Sequence, residues 1–367
     1  MNKIKKPEYE NCIANLANSI LAKWNLEQNG TSLQMLDTYM QNDYQNIVVI
    51  LLDGMGKSIM EKNLETDGFL NTHLVGTYCS VFPPTTVAAT TSVANGLVPN
   101  EHGWLGWDCY YPQIDKNVTV FFNVDQGTEK QAANYNVAWK YYGYENIITK
   151  IINAGGCAYN VSPFVEPYPN SFKKISDRIK KLCKLPERKY IYSYWNEPDS
   201  IMHKDGCYTN TSRKTLRDVE RQIELLTNEL DDTLLIITAD HGHINSKGVS
   251  LTDYPRILEC LIRMPSIEPR ALNFFVKADR KDQFKNEFKK EFGNKFILWD
   301  KEKVIKEKIF GDGSPHSAFP DMIGDYLAIA VDDLSIYNTV AEAKYFKGAH
   351  AGLTEDEMII PLIIVET

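Results

Sequence analysis

The sequence predicts an α/β protein: a three-layer sandwich around a mostly parallel central sheet, with a smaller α/β subdomain inserted before the last strand. Two observations lead to this prediction. Continuous apolar, β-rich segments recur along the chain, and amphipathic helical patterns lie between them. Strands that are apolar throughout, rather than alternating, are typical of a parallel sheet that helices cover on both faces. With 43% hydrophobic and 24% charged residues over 367 positions, the chain can also form a large core.

The predicted core strands are rich in Val, Ile, Leu and aromatic residues. They are 46–53 (NIVVILLD), 189–195 (KYIYSYW), 233–240 (TLLIITAD) and 359–366 (IIPLIIVE). Three further strand-like segments, LNFFVKA, KFILWD and YLAIAVD, follow in the C-terminal third of the chain. The chain is therefore predicted to form a core over 1–264, an inserted subdomain over 265–345 and a return to the core over 346–367.

Between the strands, apolar residues recur at the spacing of one helix face. The longest such segment is 212–230, and Thr211 or Ser212 is predicted to cap its start. A segment of small residues, 87–95, is predicted to form a helix that ends at Gly96. The other predicted helices, which have solvated Lys-rich faces, are 171–184 and 280–293.

The charge and the cysteine content of the chain narrow the classes of partner and the cellular compartment that we expect. The 40 Lys and Arg residues against 48 Asp and Glu give a net charge of −8, which disfavours a binder of nucleic-acid polymers. The chain has no apolar run of membrane-spanning length and no apolar stretch behind its basic N-terminus, so we expect neither a membrane partner nor a signal peptide. Seven scattered cysteines favour reduced thiols and a cytoplasmic location. A small anionic substrate would need local positive charge, such as metal ions.

Potential metal ligands follow three of the predicted core strands. Asp53 ends the first, Asp199 comes shortly after the second, and Asp240 and His241 follow the third. In open α/β sheets, ligands bind beyond the carboxyl ends of the strands, so these side chains are expected to meet there. Each of them alone is better explained as an ordinary polar residue at a strand end.

Two more histidines are placed to join this group. His203 comes four residues after Asp199, so one helical turn would bring both side chains to the same side. His350 lies in a loop of small residues, KGAHAGL, that leads towards the last strand. Oxygen and imidazole donors together suit zinc, or else manganese or iron. Two such ions would form a clamp for phosphoryl transfer.

A hydroxyl group stands at the start of the small-residue helix. In PPTTVAATTSVANG, Thr86 lies where the helix dipole and free N–H groups favour a bound phosphate. A metal ion there would lower the pKa of the hydroxyl and make it a nucleophile. From spacing alone, Thr85 or Thr86 is more simply an N-cap residue.

Five motifs in order resemble those of the alkaline phosphatase superfamily, and within it the type I phosphodiesterase and nucleotide pyrophosphatase branch. They are LLDGMG, PTTVAATTSVANGLVPNEHGW, NEPDSIMH, TADHGH and GAHAGL. This resemblance implies an alkaline phosphatase-like fold, a two-zinc site and a threonine nucleophile. One zinc would be held by Asp53, Thr86, Asp240 and His241, and the other by Asp199, His203 and His350. Alignment back from the Gly-Leu pair at 96–97 places the nucleophile at Thr86, with Thr85 as the fallback, and a phosphothreonine intermediate would form there.

The sequence departs from the family pattern at one position. Where the family has an asparagine that bonds a phosphoryl oxygen, the stretch HGWLGWDC has Trp107. Asp108, Asn123 or another residue would have to substitute, or the contact is lost. Trp107 and Asp108 are therefore the candidate substrate contacts, and nearby aromatic residues would either stack on a base or sugar or pack a cap. His243 has no place in the family's ligand set and is expected to have a supporting or structural role.

The leading functional prediction is a phosphodiesterase or nucleotide pyrophosphatase that acts on small, nucleotide-like diesters. One alternative keeps the site but takes a phosphate monoester, or a phosphonate such as phosphonoacetate whose C–P bond is hydrolysed. Another is a catalytically silent binding domain, which the complete set of ligands argues against. No basic motif accompanies 82–104, so diesters are expected to be better substrates than monoester dianions.

Overall fold

A mixed six-stranded sheet forms the centre of the computed structural model, which describes residues 3–367. Its strand order is β2-β17-β8-β1-β7-β6. The strands are β1 (Asn46–Leu52), β2 (Leu74–Cys79), β6 (Cys157–Val161), β7 (Lys189–Trp195), β8 (Thr233–Thr238) and β17 (Ile359–Glu366). Strands β6, β7, β1 and β8 run parallel, and β17 runs antiparallel to both of its neighbours. The predicted α/β fold with a mostly parallel sheet is confirmed.

The reversed direction of β17 decides where the functional residues meet. Ile359, the first residue of β17, pairs with Cys79, the last residue of β2. The start of β17 therefore lies at the same edge of the sheet as the carboxyl ends of β1, β2, β7 and β8. Loops that follow those four strands and the loop that precedes β17 consequently converge on one edge.

Helices cover both faces of this sheet. Trp24, which ends the first helix, packs edge-on against Tyr190 of β7, while Phe172 packs edge-on against Trp195 of the same strand. Residues 190 and 195 are an odd number of positions apart, so their side chains lie on opposite faces of the sheet. Helices on both faces of the sheet make up the three-layer arrangement.

The helices of the described chain are α1 (Ile13–Lys23), α2 (Gln34–Met40), α3 (Lys57–Asn63), α4 (Phe69–Thr72), α5 (Thr86–Asn95), α6 (Pro99–His102), α7 (Val137–Tyr142), α8 (Ile147–Asn153), α9 (Phe172–Cys183), α10 (Asp199–Asp205), α11 (Asn210–Thr227), α12 (Pro255–Leu258), α13 (Lys281–Phe292), α14 (Lys301–Lys306), α15 (Phe319–Met322), α16 (Val340–Tyr345) and α17 (Glu355–Met358).

The predicted helices are present, with small shifts at their ends. Helix α5 ends at Gly96, whose φ of 78° is in the left-handed region that favours glycine. Helix α11 begins earlier than predicted, and its N-cap is Thr209, whose hydroxyl accepts a hydrogen bond from the Ser212 N–H. The predicted caps Thr211 and Ser212 are therefore wrong, because both residues already lie in the first turn of the helix.

A second sheet of seven strands lies beside the core. Its order is β13-β14-β12-β11-β3-β4-β5. The strands are β3 (Asp108–Tyr111), β4 (Lys116–Thr119), β5 (Val124–Asp125), β11 (Ser266–Glu268), β12 (Ala271–Phe274), β13 (Phe296–Asp300) and β14 (Tyr326–Ala330). Because β3 pairs with β11, this sheet combines 108–125 with the predicted insert 265–345. Two small sheets pair β9 (Ile244–Asn245) with β16 (Gly348–Ala349) and β10 (Lys247–Ser250) with β15 (Leu334–Tyr337).

A buried ion pair connects the second sheet to the segment before β17. The Arg270 and Glu357 side chains are both fully buried, and two hydrogen bonds of 2.6 and 2.8 Å join the guanidinium group to the carboxylate. Glu357 also accepts hydrogen bonds from the Gly352 N–H and the Thr354 hydroxyl. The loop that contains His350 is therefore fixed to both sheets.

Of the helices between residues 3 and 367, none combines the length and the apolar character that crossing a lipid bilayer requires.

Candidate metal centre and active site

The predicted ligand residues lie together at the sheet edge where the loops converge. Asp53 follows β1, Asp199 and His203 lie on α10 after β7, and Asp240 and His241 follow β8. Thr86 begins α5, and His350 lies between β16 and α17. Potential donor atoms lie within 4.8 Å of one another in three overlapping groups: Asp53, Asp240 and His241; Asp199, His241 and His350; and Asp199, His203 and His243. His241 and His350 stack at the boundary between the clusters, with ring centroids 3.8 Å apart.

The first cluster consists of Thr86, Asp53, Asp240 and His241. The Thr86 Oγ1 atom lies 3.4 Å from both Asp53 carboxylate oxygens and 3.3 Å from His241 Nε2. His241 Nε2 lies 3.3 Å from Asp53 Oδ1 and 3.5 Å from Asp240 Oδ2. Around an ion with bonds of about 2.0–2.1 Å, the edges of a tetrahedron are about 3.3–3.4 Å long. The donor spacing therefore fits a tetrahedrally coordinated divalent ion.

The second cluster is arranged around Asp199. Its Oδ1 atom lies 3.4 Å from His203 Nε2, 3.8 Å from His350 Nε2 and 3.2 Å from His243 Nε2. The sequence analysis did not place His243 among the ligands. A signal was present, because side chains two residues apart in an extended segment point to the same side, and His241 and His243 have this spacing directly after β8.

Backbone carbonyl groups orient three of the histidine rings. The Nδ1 atoms of His203, His241 and His350 lie 2.9, 2.9 and 3.1 Å from the carbonyl oxygens of Gly348, Gly242 and Pro84. A carbonyl oxygen can only accept, so Nδ1 donates in each case. In the neutral ring the lone pair is then on Nε2, which faces the carboxylates. Such orientation of the ring by a partner at the other nitrogen is typical of metal-binding histidines.

The buried carboxylates require positive charge. Burial and the neighbouring Asp199 raise the pKa of Asp53 well above its usual range, and burial and Asp53 do the same for the pKa of Asp240. Burial opposes ionisation of Asp199 too, but the facing histidines hold the pKa of Asp199 low. Within residues 3–367, Asp199 Oδ1 and Asp240 Oδ2 are buried and have no hydrogen-bond donor. Divalent cations at these positions would satisfy both orphaned oxygens.

The two adjacent threonines face different partners. Thr86 faces the first cluster, whereas the Thr85 hydroxyl donates a 2.6 Å hydrogen bond to Glu268 Oε1 in the second sheet. Glu268 also accepts a 2.8 Å hydrogen bond from the Trp107 N–H. Burial raises the pKa of Glu268 to about 7. Thr85 is the N-cap residue of α5 and Thr86 its first residue, but only the Thr86 hydroxyl lies beside metal-type donors.

An aromatic cleft of about 790 Å³ opens on one side of Thr86. Trp107, which is 42% exposed, lies between this cleft and a second one. Its ring packs edge-on against Phe121 and Phe122, which are also exposed. Further aromatic side chains in the lining are Trp104, Trp139, Tyr144, Phe164, Tyr190, Tyr192 and Tyr194. Tyr194 also donates a short hydrogen bond to Asp53, a contact that the sequence analysis missed.

A second cleft of about 250 Å³ opens on the other side and also borders Thr86 and Asp199. Its lining contains both apolar and polar residues, and it is called the polar cleft here for the carboxylates that it contains. Its polar lining includes Asp108, Gln126, Glu268, Asn338 and Glu342. The Asp108 carboxylate accepts hydrogen bonds from the Thr119 hydroxyl and the Gln126 amide, so both of its oxygens have partners. Asn123 is engaged with the Tyr135 carbonyl and the Val137 N–H and does not line either cleft.

Comparisons with known proteins agree with this geometry. The family model for type I phosphodiesterase / nucleotide pyrophosphatase matches residues 47–353. Human ectonucleotide pyrophosphatase / phosphodiesterase 5 superposes with a TM-score of 0.66 at 17% identity, covering 87% of this chain and 87% of that chain. The murine protein gives a TM-score of 0.64 at 16% identity, covering 86% and 87%. An inactive threonine-to-alanine variant of the murine protein, in complex with AMP, gives a TM-score of 0.62 at 15% identity, with the same coverage.

The family match spans the segment from β1 to the loop before α17, and so includes every residue of both clusters. The resemblance inferred from the five motifs and the predicted class of enzyme, a phosphoester or pyrophosphate hydrolase, are confirmed. Members of this family depend on metal ions, and the two donor clusters are the candidate metal-binding groups in this chain. The chain belongs to the type I phosphodiesterase / nucleotide pyrophosphatase family of the alkaline phosphatase superfamily.

Proposed function

We propose that this protein hydrolyses small, nucleotide-like phosphodiesters through a threonine nucleophile, with two divalent cations, most simply zinc, at the two clusters. The observation that carries the proposal is the position of the Thr86 hydroxyl, 3.3–3.4 Å from three donor atoms of the first cluster. When bound, the cations supply positive charge that lowers the pKa of this hydroxyl and stabilises charge on the phosphoryl oxygens.

The reaction proposed for Thr86 has two displacements. Thr86 Oγ1 loses its proton and attacks phosphorus, the bond from phosphorus to one ester oxygen breaks, and that oxygen leaves with a proton as the alcohol. The resulting phosphothreonine diester is then attacked by water, which releases the monoester and restores the hydroxyl. The free N–H groups at the start of α5 point towards the transferred group and favour its negative charge.

Two clefts that meet at Thr86 support a substrate with two ester groups. A flat, aromatic group such as a nucleobase fits the aromatic cleft, where bases can stack on Trp107 and its neighbours. The second ester group would lie in the polar cleft, whose carboxylates Asp108, Glu268 and Glu342 favour a neutral or cationic group. The murine relative was solved with AMP, which agrees with a nucleotide-like group.

The charge of the clefts favours diesters over monoesters. Among the residues from 3 to 367 that line the two clefts, none is Lys or Arg. A monoester dianion carries one more negative charge than a diester and would need a further cation. We therefore propose that kcat/KM for diesters exceeds that for monoesters by about tenfold or more.

The compartment is proposed as cytoplasmic. All seven cysteines are free thiols in the structure, and burial raises the pKa of Cys12, Cys109 and Cys207. Buried neutral thiols suit a reducing environment.

Kinetic comparison of three chromogenic substrates tests the proposed function. We would measure kcat/KM for the nitrophenyl ester of a nucleoside monophosphate, for nitrophenyl phosphate and for a nitrophenyl phosphonate, using zinc-loaded protein. The proposal expects the nucleotide diester to be the best substrate, and acid quenching during turnover to trap the nucleoside phosphoryl group on the peptide that contains Thr86. Higher efficiency on nitrophenyl phosphate would replace the proposal by a phosphatase, and labelling of another residue would overturn the nucleophile assignment.

A further inference from the structure

The family motifs account for Asp199, His203 and His350, yet a third imidazole reaches the same carboxylate oxygen. His243 Nε2 lies 3.2 Å from Asp199 Oδ1, closer than the Nε2 atoms of His203 at 3.4 Å and His350 at 3.8 Å. We propose that His243 is a fourth protein ligand of the second metal ion, which would then be held by three imidazoles and one carboxylate. The inference rests on the proposed function only in that the same cluster is taken as a metal site.

Donor spacing supports coordination by His243. The separations of 3.2 Å for His243 and 3.4 Å for His203 lie close to the tetrahedron edge of about 3.3–3.4 Å expected around a zinc ion, whereas the 3.8 Å of His350 is longer. Donor atoms of Asp199, His203 and His243 also all lie within 4.8 Å of one another. The three rings are also steeply inclined to one another, with interplanar angles of 73° for His203 and His243, 68° for His243 and His350, and 59° for His203 and His350. The three rings therefore approach the Asp199 carboxylate in different orientations.

The unpaired nitrogen of His243 points to the same conclusion. His243 is fully buried, and its Nε2 atom has no hydrogen-bond partner among residues 3–367. Asp199 Oδ1, the atom that it faces, has none either. Two buried polar atoms that face each other without a hydrogen bond are costly unless a third group satisfies both. A cation between them would do so.

The rest of the His243 side chain is held in place. Its Nδ1 atom lies 3.5 Å from Cys207 Sγ, and the Gly348 backbone leaves just enough room for the ring, since a Cβ atom on Gly348 would lie 2.7 Å from His243 Cε1. The imidazole is consequently aimed at the cluster by its packing. Metal ligands are commonly fixed in this way by groups behind them.

A ligand set of three imidazoles and one carboxylate differs chemically from the oxygen-rich first cluster. Imidazole donors favour zinc and its transition-metal neighbours over magnesium and manganese. Four protein ligands would fill a tetrahedral ion, so this site favours an ion that accepts a fifth ligand when substrate is present. The second site should therefore bind its ion more tightly and more selectively than three ligands would.

Metal binding, measured without substrate, tests the inference. Full-length protein would be loaded with ¹¹³Cd²⁺ after labelling of its histidines with ¹⁵N, and scalar coupling between cadmium and each Nε2 would be recorded by NMR. We expect coupling to His243 as well as to His203 and His350. Coupling to His203, His241 and His350 without coupling to His243 would overturn the proposal, because a histidine that only orients Asp199 does not bond to the metal.

Variants extend the test to zinc affinity. His243→Met, which replaces the imidazole by an uncharged side chain of similar length, should lower the affinity of one of the two zinc ions by at least about 100-fold, whereas the other ion is retained. His102→Gln is the matched control, since His102 is equally buried but its ring nitrogens have partners in Ser92 and the Trp104 N–H. Unfolding curves of the chelator-treated proteins show whether each variant is folded. Unchanged zinc affinity in folded His243→Met would contradict the inference.

The outcomes separate this inference from the proposed function. Native protein that binds two ions, shows coupling to His243 and yet hydrolyses no phosphodiester would overturn the proposed function alone. Native protein that hydrolyses diesters without coupling to His243 would overturn the inference alone.

Discussion

The Thr86 hydroxyl lies 3.3 Å from Nε2 of His241. This contact joins the first residue of α5 to the residue that follows Asp240 after β8, although 155 positions separate them in the chain. The Thr85 hydroxyl, one residue earlier, bonds instead to Glu268 in the other sheet. The two neighbouring hydroxyls therefore differ in role: that of Thr86 is placed for the reaction, and that of Thr85 connects α5 to the second sheet.

Thr86→Ala should lower kcat for a nucleotide diester by about 1000-fold or more while the protein stays folded, because the attacking oxygen is removed and only binding and electrostatic contributions remain. Thr85→Ala is the matched control, since it removes an adjacent hydroxyl that does not face the metal cluster. We expect its kcat to fall far less. Steady-state kinetics and circular dichroism check both variants, and a larger loss in Thr85→Ala would move the nucleophile to that residue.

Trp107→Ala should raise KM for a nucleotide diester by about tenfold, since stacking on a base contributes about 1–3 kcal/mol. The effect should be small for methyl nitrophenyl phosphate, whose methyl group offers nothing to stack. Trp107→Phe retains an aromatic face and should recover most of the affinity. An equal rise of KM on both substrates would mean that Trp107 shapes the site but does not stack on substrate.

Asp240→Asn should make the metal-free protein less sensitive to alkaline pH. Burial raises the pKa of Asp240 in the folded state, so its contribution to stability is present below the pKa of the unfolded chain, about 4, and is lost as pH rises through the folded value. Asparagine cannot ionise and can still accept hydrogen bonds from Gly54 and His241 at the retained oxygen.

Thermal unfolding of the chelator-treated proteins between about pH 5 and about pH 8 measures this effect. The Tm of the native protein should fall more steeply with pH than the Tm of Asp240→Asn, and added zinc should raise the Tm of the native protein more than that of the variant, which keeps only the second cluster intact. Parallel Tm curves would show that Asp240 remains ionised in the metal-free protein.

Arg270→Met should lower the free energy of unfolding by about 3–5 kcal/mol, because it leaves the buried Glu357 carboxylate without its charge partner. Arg217→Met is the control, since the pair of Arg217 and Glu65 is exposed and pairs of that kind contribute about 0–1 kcal/mol. Urea denaturation of the zinc-loaded proteins measures both. Similar losses in the two variants would show that burial adds nothing to the Arg270 pair.

Much of the candidate site was predictable because parallel strands bring their carboxyl ends together. Asp53, Asp199 and Asp240 could be placed at one edge from the strand pattern alone, since local composition marks buried strands well. The loop before the last strand made His350 a candidate, but its place in the ligand set came from the resemblance to a family, because its position depends on the antiparallel course of β17. Nothing in the sequence of β17 sets its direction.

Long-range pairing explains what the sequence did not predict. The strands at 108–125 are short, and β3 joins β11 across more than 150 intervening residues. No local pattern encodes such a partner. The position of His243 was missed for a related reason, since its contact with Asp199 depends on how the segment after β8 packs against α10, which lies on a separate part of the chain.

The position of β17 also connects metal binding with the completion of folding. This strand lies between β2 and β8 inside the central sheet, far from both in sequence, and the His350 loop immediately precedes α17 and β17. Pairing between distant segments forms late and slowly. A polypeptide that has not yet inserted β17 would lack the His350 ligand and leave the acidic edge of the sheet uncompensated. Stable zinc retention should therefore distinguish finished molecules from folding intermediates, and it would arise in the final step of assembly.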